Sequence, residues 1–208
     1  MRDKYQVKSI DAYLTKEWLL KKHYAKRLPS ISYAFGLFGD GILVGIMTIG
    51  KPASNALCIG VCGLEYSKYV YELNRLCVNE GLEKNVLSYF LSNCFKLIKD
   101  NLIIVSYADT SQGHHGYIYQ ATNWIYTGKT KERTDIGFED GTHSRHYDKN
   151  IDKSIRKIRY SKHRYIYFLG KMKKQFIKSL NYSILPYPKG ENKRYDASYS
   201  PTLQTQLF

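Results

Sequence analysis

Val86-Leu87-Ser88-Tyr89-Phe90-Leu91-Ser92-Asn93-Cys94-Phe95-Lys96-Leu97-Ile98, followed at once by Leu102-Ile103-Ile104-Val105-Ser106-Tyr107-Ala108-Asp109, holds the two patterns that decide the fold class. In the first run Val86, Leu87, Phe90, Leu91, Cys94, Leu97 and Ile98 recur at helical spacing and form one broad apolar stripe. In the second, Leu102 to Val105 is an unbroken apolar run, as in a strand covered on both faces, the parallel type. Just upstream, Tyr71-Glu72-Leu73-Asn74-Arg75-Leu76-Cys77-Val78 alternates polar with apolar, as a half-buried strand does. Strand, helix, buried strand predicts an α/β (α+β) protein with helices packed on a sheet.

Further upstream, Thr15 is placed to cap a helix through Lys16 to Tyr24 that stops before Pro29. Ser32 to Phe38, the tight turn Gly39-Asp40-Gly41 and Ile42 to Ile49 read as a hairpin. A polar stretch with Pro52, Gly60 and Gly63 follows. Downstream of Asp109, Thr110 to Gly113 is a turn, Tyr117 to Thr122 a short helix and Trp124 to Tyr126 a short strand. A polar excursion (130–153) precedes a last strand near Arg164 to Leu169. No repeat or linker divides the chain. Residues 1–185 read as one domain with a basic C-terminal strand region (145–178), and 186–208, rich in Pro, Tyr, Ser and Thr, as a loosely ordered tail.

The charge is the first functional signal. Lys and Arg number 32 against 18 Asp and Glu, a net +14. Arg145 to Lys178 alone holds twelve Lys and Arg against two Asp. Such clusters displace counterions from a phosphate backbone and bind it without sequence choice. Lys153, Arg156, Lys157, Arg159, Lys162 and Arg164 are the candidate DNA-contacting cations; a solvated face or an anionic membrane surface is the plainer alternative. Tyr160, Tyr165, Tyr167 and Phe168 interleave with them and could stack on bases, though Tyr165 to Leu169 could equally be a core strand. No run is apolar enough to span a bilayer and the N-terminus has no apolar signal core, so a cytoplasmic, membrane-free protein is expected. Cys58, Cys62, Cys77 and Cys94 lack the paired spacing of a zinc site and read as reduced thiols.

The order of elements resembles that of N-acetyltransferases of the GNAT type, and Gly116 to Gly128 resembles a late helix and strand of that superfamily. More specifically, the chain resembles the phage Mom family. The resemblance rests on His23-Tyr24, Glu72-Leu73-Asn74-Arg75, Asn85 with Ser88, Ser106-Tyr107-Ala108-Asp109 and Gly113-His114-His115-Gly116-Tyr117-Ile118-Tyr119-Gln120-Ala121. It spans His23 to Gly128 and, more weakly, Lys162 to Tyr167. It implies a GNAT-like fold with a central mixed twisted sheet. It also implies carbamoylmethylation of adenine in double-stranded viral DNA as an antirestriction device, acting in the host cytoplasm. The donor implied is an acyl or glycinamide-type group, and iron is a possible cofactor. Acetyl-CoA is doubtful, because Asn79 to Asn85 carries one glycine and two carboxylates where acetyl-CoA enzymes carry a Gly-rich phosphate loop.

Asp109, at the end of the buried strand, could serve as base or metal ligand, or merely cap the following turn. Tyr119 could protonate a leaving group or be a core tyrosine. His114 and His115, with His23 and Asp109, are weak metal candidates; turn histidines are usually just solvated. Glu72 and Arg75, three apart on a strand, are expected on opposite faces. The resemblance favours Arg75 for function and, with Asn85 and Ser88, for holding the donor; it alone singles out His23 and Tyr24. His143 and His146 have metal-like spacing without a third ligand. The rival readings are a conventional GNAT acyltransferase on a nucleobase, tRNA or small amine, and a non-catalytic nucleic-acid-binding module. Oligomeric state is open, a homodimer included.

Overall fold

The structure is a computed structural model that describes residues 4–136 and 156–190. The strands are β1 (Tyr5–Ser9), β2 (Tyr33–Gly39), β3 (Ile42–Gly50), β4 (Val70–Val78), β5 (Leu102–Asp109), β6 (Ile125–Lys129), β7 (Arg133–Ile136), β8 (Arg156–Arg159) and β9 (Lys162–Leu169). The helices are α1 (Asn55–Cys62), α2 (Val86–Leu97), α3 (Tyr117–Ala121) and α4 (Lys173–Lys178). Seven strands form one mixed sheet in the order β1-β2-β3-β4-β5-β9-β6, and β7 and β8 form a separate ribbon. Among the described residues only β4 and β5 run parallel. The expected mixed α/β sheet with helices on both faces is therefore present.

Period-two alternation builds the two layers. Leu102, Ile104 and Ala108 of β5 and Tyr165 of β9 face α2, with Phe90, Leu91 and Cys94 beneath. Ile103, Val105, Ile166 and Phe168 face the other way, onto Val61 of α1 and Phe176 of α4. Trp18 and Leu19 cover Ile46 farther along. The β2–β3 hairpin turns through Asp40 (φ 50°) and Gly41 (φ 78°), two left-handed residues that match the strand twist.

Several expectations change. The helix drawn through Lys16 to Tyr24 is instead a 3-10 turn (Ala12–Thr15) and a π-helix (Trp18–Lys22). The wider π turn brings Trp18, Leu19, Lys22 and His23, all buried, onto one side. Thr15 caps nothing there; its hydroxyl donates back to the Ala12 carbonyl (2.7 Å). The polar stretch after Pro52 contains α1, capped by Ser54, whose hydroxyl accepts from the Leu57 amide (3.2 Å). Strands β1, β7 and β8 and helix α4 were not legible either. Tyr165, Ile166 and Phe168 are core residues of β9, so of the interleaved aromatics Tyr160 is the exposed one (52%).

The chain from Leu185 to Gly190 runs beside β6: the Leu185 amide donates to Tyr126 (3.0 Å) and the Tyr187 hydroxyl to the Trp124 carbonyl (2.6 Å). The remainder of the predicted tail, 191–208, lies outside the described residues, as do Lys153, His143 and His146.

Candidate active site and basic ribbon

The site begins where the sheet comes apart. β4 and β5 pair through Val70–Ile103, Tyr71–Ile104 and Glu72–Val105, and there the ladder stops. Both strands continue, to Val78 and Asp109, so a gap opens between them toward their C-terminal ends. This is the end at which open α/β sheets bind ligands. At its apex the Ser106 hydroxyl donates to the Leu73 carbonyl (2.8 Å) and lies 2.7 Å from the Tyr119 hydroxyl. Ser106 carries one proton and is the donor to both the Leu73 carbonyl and the Tyr119 oxygen, which therefore share it. Burial raises the Tyr119 pKa, and the Ser106 hydrogen bond acts the other way. Ser106 thus clasps β4 and α3 together across the gap.

Glu72 and Arg75 lie on the same face, not on opposite ones. β3 and β4 shift register between Thr48–Arg75 and Ile49–Leu73, leaving Asn74 as an extra residue, a bulge that reverses the alternation. Tyr71 and Leu73 before the bulge, and Leu76 and Val78 after it, all pack toward α2. Glu72 and Arg75 therefore point the other way. The bulge is fastened from both sides: Thr48 Oγ1 donates to Asn74 Oδ1 (2.6 Å) and Asn74 Nδ2 donates to the Ser30 carbonyl (2.8 Å). Gly50 makes room for that loop, since a Cβ there would sit 1.8 Å from the Ser30 oxygen.

Arg75 Nη1 donates to the Asn74 carbonyl (2.6 Å), whereas its Nε is buried without a hydrogen-bond partner among the described residues. Burial lowers its pKa, and Tyr24, Arg27 and Glu72 are its electrostatic neighbours. His23 accepts the Ala25 amide at Nδ1 (3.1 Å), which puts the proton of its neutral form on Nε2. Burial pushes this imidazole down to about 3, with Arg75 and His114 acting in the same direction. Tyr24 stacks on His23 (4.5 Å between centroids) and meets the His114 ring edge-on (6.2 Å). His114 is likewise held below its ordinary value, chiefly by burial. The structure therefore gathers His23, Tyr24, Arg75, Glu72 and His114 around a cation and neutral rings.

Asp109 is placed differently from its predicted role. Its Oδ1 accepts the Ser111 amide (3.0 Å) and hydroxyl (2.7 Å), and its Oδ2 pairs with Lys162 Nζ (2.7 Å). Burial would raise its pKa, but the Lys162 ammonium and the Ser111 donors outweigh it and hold the carboxylate below its ordinary value. It caps the turn and anchors a lysine. His115 lies farther back, its ring 5.5 Å from that of His163.

Asn85 and Ser88, the other predicted donor residues, follow the loop that leaves the C-terminal end of β4. Asn85 is left-handed (φ 69°) and the Ser88 hydroxyl donates to the Asn85 carbonyl (2.9 Å), within the first turn of α2. The two carboxylates of that loop are not bare: Glu80 pairs with buried Lys22 (2.7 Å) and Glu83 with Lys4 (2.6 Å).

Among the predicted DNA-contacting residues, Arg156 and Lys157 are exposed on β8. The register places Arg133 opposite Arg159. Like charges directly across a ladder are unfavourable. Arg164 is engaged internally: Nε donates to Thr127 Oγ1 (2.8 Å), Nη2 to the Thr127 carbonyl (3.0 Å), and the guanidinium stacks on Tyr182 (3.5 Å). It is a structural residue of the β6–β9 pair.

No three His, Cys, Asp or Glu side chains among the described residues converge on a metal position. Both oxygens of Asp109 and Nδ1 of His23 are already engaged. The described residues do not fit an iron site. Thr48 and Lys22 carry parts of this arrangement that no sequence pattern signalled, and Asn74 and Ser106 stood within quoted motifs without a role, because each acts through a tertiary contact.

A sequence profile of the Mom protein family matches residues 4–189. A similar curated protein is the methylcarbamoylase mom of Escherichia phage Mu, 26% identical over 211 residues, covering 88% of this chain and 83% of that protein. Similar solved structures include a GNAT family acetyltransferase from Elizabethkingia anophelis with acetyl-CoA bound (13% identity, TM-score 0.45, covering 80% of this chain and 99% of that one). Another is an N-acetyltransferase from Staphylococcus aureus Mu50 (13% identity, TM-score 0.45, covering 79% and 98%).

Proposed function

The chain belongs to the Mom protein family, and on that premise we propose that it is a phage DNA-modifying transferase that adds a carbamoylmethyl group to the exocyclic amine of adenine in double-stranded DNA. Acting in the host cytoplasm, it would shield phage DNA from restriction. The observation that carries this reading is that the basic β7–β8 ribbon leads into β9 at the Asp109 end of β5, the end toward which the gap between β4 and β5 opens.

The adenine amine is a weak nucleophile, its lone pair delocalised into the ring, and it is occupied in the base pair. The base must leave the stack to be reached. In the gap, Arg75 Nε is a buried donor, unpartnered among the described residues. It would bind the carbonyl or leaving group of an acyl or glycinamide-type donor, where charge develops as the new carbon–nitrogen bond forms. His114, held neutral and edge-on to Tyr24, is better suited than Asp109 to accept the departing amine proton. The Nε2 proton of His23 and the Tyr24 hydroxyl can orient the base or the donor. Iron enters no step, since the described residues do not fit it.

Nucleoside mass spectrometry of DNA from cells expressing the chain tests the reading. A carbamoylmethyl-adenine peak supports it, and unmodified adenine in a host that supports modification by the phage Mu protein overturns it. A second donor is favoured by one observation: with Glu80 and Glu83 neutralised by Lys22 and Lys4, the loop before α2 is no anionic barrier to a pyrophosphate. Calorimetric titration with acetyl-CoA decides between the two.

A further inference from the structure

The ribbon β7–β8 cannot stand alone. It is a two-stranded sheet of four residues a side, and isolated ribbons of that kind are marginal in water. What holds it is a group of contacts at its base, where β6 runs into β7 and β8 into β9. The Thr130 amide donates to the Lys162 carbonyl (2.9 Å), and the Lys162 amide donates to Thr130 Oγ1 (2.9 Å). On the other side, Thr110 Oγ1 donates to the Ser161 carbonyl (2.6 Å). Across the end of the β5–β9 ladder, Asp109 and Lys162 are register partners joined by a 2.7 Å ion pair. The lysine side chain is 43% exposed and the carboxylate 12%, so the pair is partly shielded at the carboxylate side.

We infer that Asp109 is a positioning residue whose carboxylate, through Lys162, docks the basic β7–β8 ribbon onto the open end of the β4–β5 gap. It sets where the phosphate backbone lies relative to the reacting base. The inference deepens the proposed function and rests on it for the identity of the partner as duplex DNA. The docking itself stands on the contacts alone. Two geometric facts separate this role from that of a proton acceptor: both carboxylate oxygens are engaged, and the engaged partners are the first residue of β9, three positions after the ribbon strand β8 ends, and the turn that follows β5. Lys162, in turn, is an anchor rather than a free DNA-binding cation.

The test uses the full chain and the variants Asp109→Asn, Lys162→Met, Lys162→Arg and the double Asp109→Asn/Lys162→Met. Hydrogen exchange of the β7 and β8 amides reads docking without DNA. Loss of the anchor should speed exchange there about tenfold, since local opening tracks the stability of the segment. Asp109→Asn and Lys162→Met should match one another, the double variant should be no faster than either, and Lys162→Arg should restore protection. Fluorescence anisotropy with a short DNA duplex supplies the second readout. Asp109→Asn adds one positive charge, so plain electrostatics predicts tighter binding, whereas a displaced ribbon predicts weaker binding by about threefold or more. Unchanged exchange, or equal or tighter duplex binding with modification abolished, overturns the inference and returns Asp109 to the reaction itself. If the wild-type chain leaves adenine unmodified, the DNA-modification reading fails, while the exchange experiment still decides the docking.

Discussion

At the scale of single residues, Arg75 is the side chain with the most chemistry left to give. Its Nη1 is spent on the Asn74 carbonyl, yet its Nε is buried and unpartnered among the described residues. A buried donor without an acceptor is costly, and a ligand atom that supplies the acceptor recovers that cost. Arg75→Lys keeps the charge and removes this donor. It should lower the modification rate by roughly 10²-fold, as loss of a preorganised donor at a developing charge does. The melting temperature should stay within a few degrees, and modified adenine measured by mass spectrometry beside a thermal melt checks both. The buried histidines supply a second prediction at this scale. His23 is pushed down to about 3 and His163 to about 4, each first by burial. The unfolded chain takes up these protons near pH 6.5 and the folded chain does not, so their neutral burial costs nothing above pH 6.5 and stability falls as pH drops from 6.5 toward 4. Replacing His163 by Gln should flatten that fall by at most about 1.4 kcal/mol per pH unit, read from denaturant melts along a pH series.

At the scale of elements, the bulge in β4 does what no single side chain could. One extra residue at Asn74 turns Arg75 onto the face of Glu72 and away from the core beneath α2. Sequence alternation alone predicts the opposite, because period two assumes an unbroken ladder. The insertion is held by Thr48 and by the Ser30 carbonyl. Asn74→Ala removes both bonds, and Thr48→Val removes one. The alanine variant should lose about 1–2 kcal/mol of stability and, by misaiming Arg75, some 10- to 100-fold in modification rate. Thr48→Val should do the same to a smaller degree, with paired melts and rate measurements as the check. A similar tertiary necessity fixes the turn before α3. Gly116 is left-handed (φ 77°) and a Cβ there would meet the Tyr165 ring at 2.4 Å, so His114 and His115 sit where the β9 tyrosine allows.

For the whole molecule, the charge distribution governs how it meets a partner. The net +14 is not a uniform film: Arg133, Arg156 and Lys157 stand exposed on the ribbon, whereas Arg164 and Lys162 are tied into the fold. Removing Arg133 and Arg156 together should weaken duplex binding equally for all sequences. It should also reduce the slope of log affinity against log salt by about 1.8, near 0.9 for each phosphate that is no longer neutralised. Anisotropy titrations across a salt series measure it. Neutralising Arg164 should leave that slope unchanged and cost stability instead.

By itself the sequence determined the helix at Val86–Leu97, the buried strand at Leu102–Asp109, the β2–β3 hairpin and the basic stretch, since periodicity, turn residues and charge are local properties. It also carried the motifs that mark His23, Tyr24, Arg75 and His114. Only the tertiary structure decided that β4 and β5 part after Glu72, that a bulge turns Arg75, and that Asp109 is spent on Lys162. Each of these depends on partners far away in the chain: Thr48 for Asn74, Leu73 for Ser106, Lys162 for Asp109. A hydrogen bond or an ion pair between residues dozens of positions apart leaves no period in either segment, and it comes into being only when the sheet brings them together.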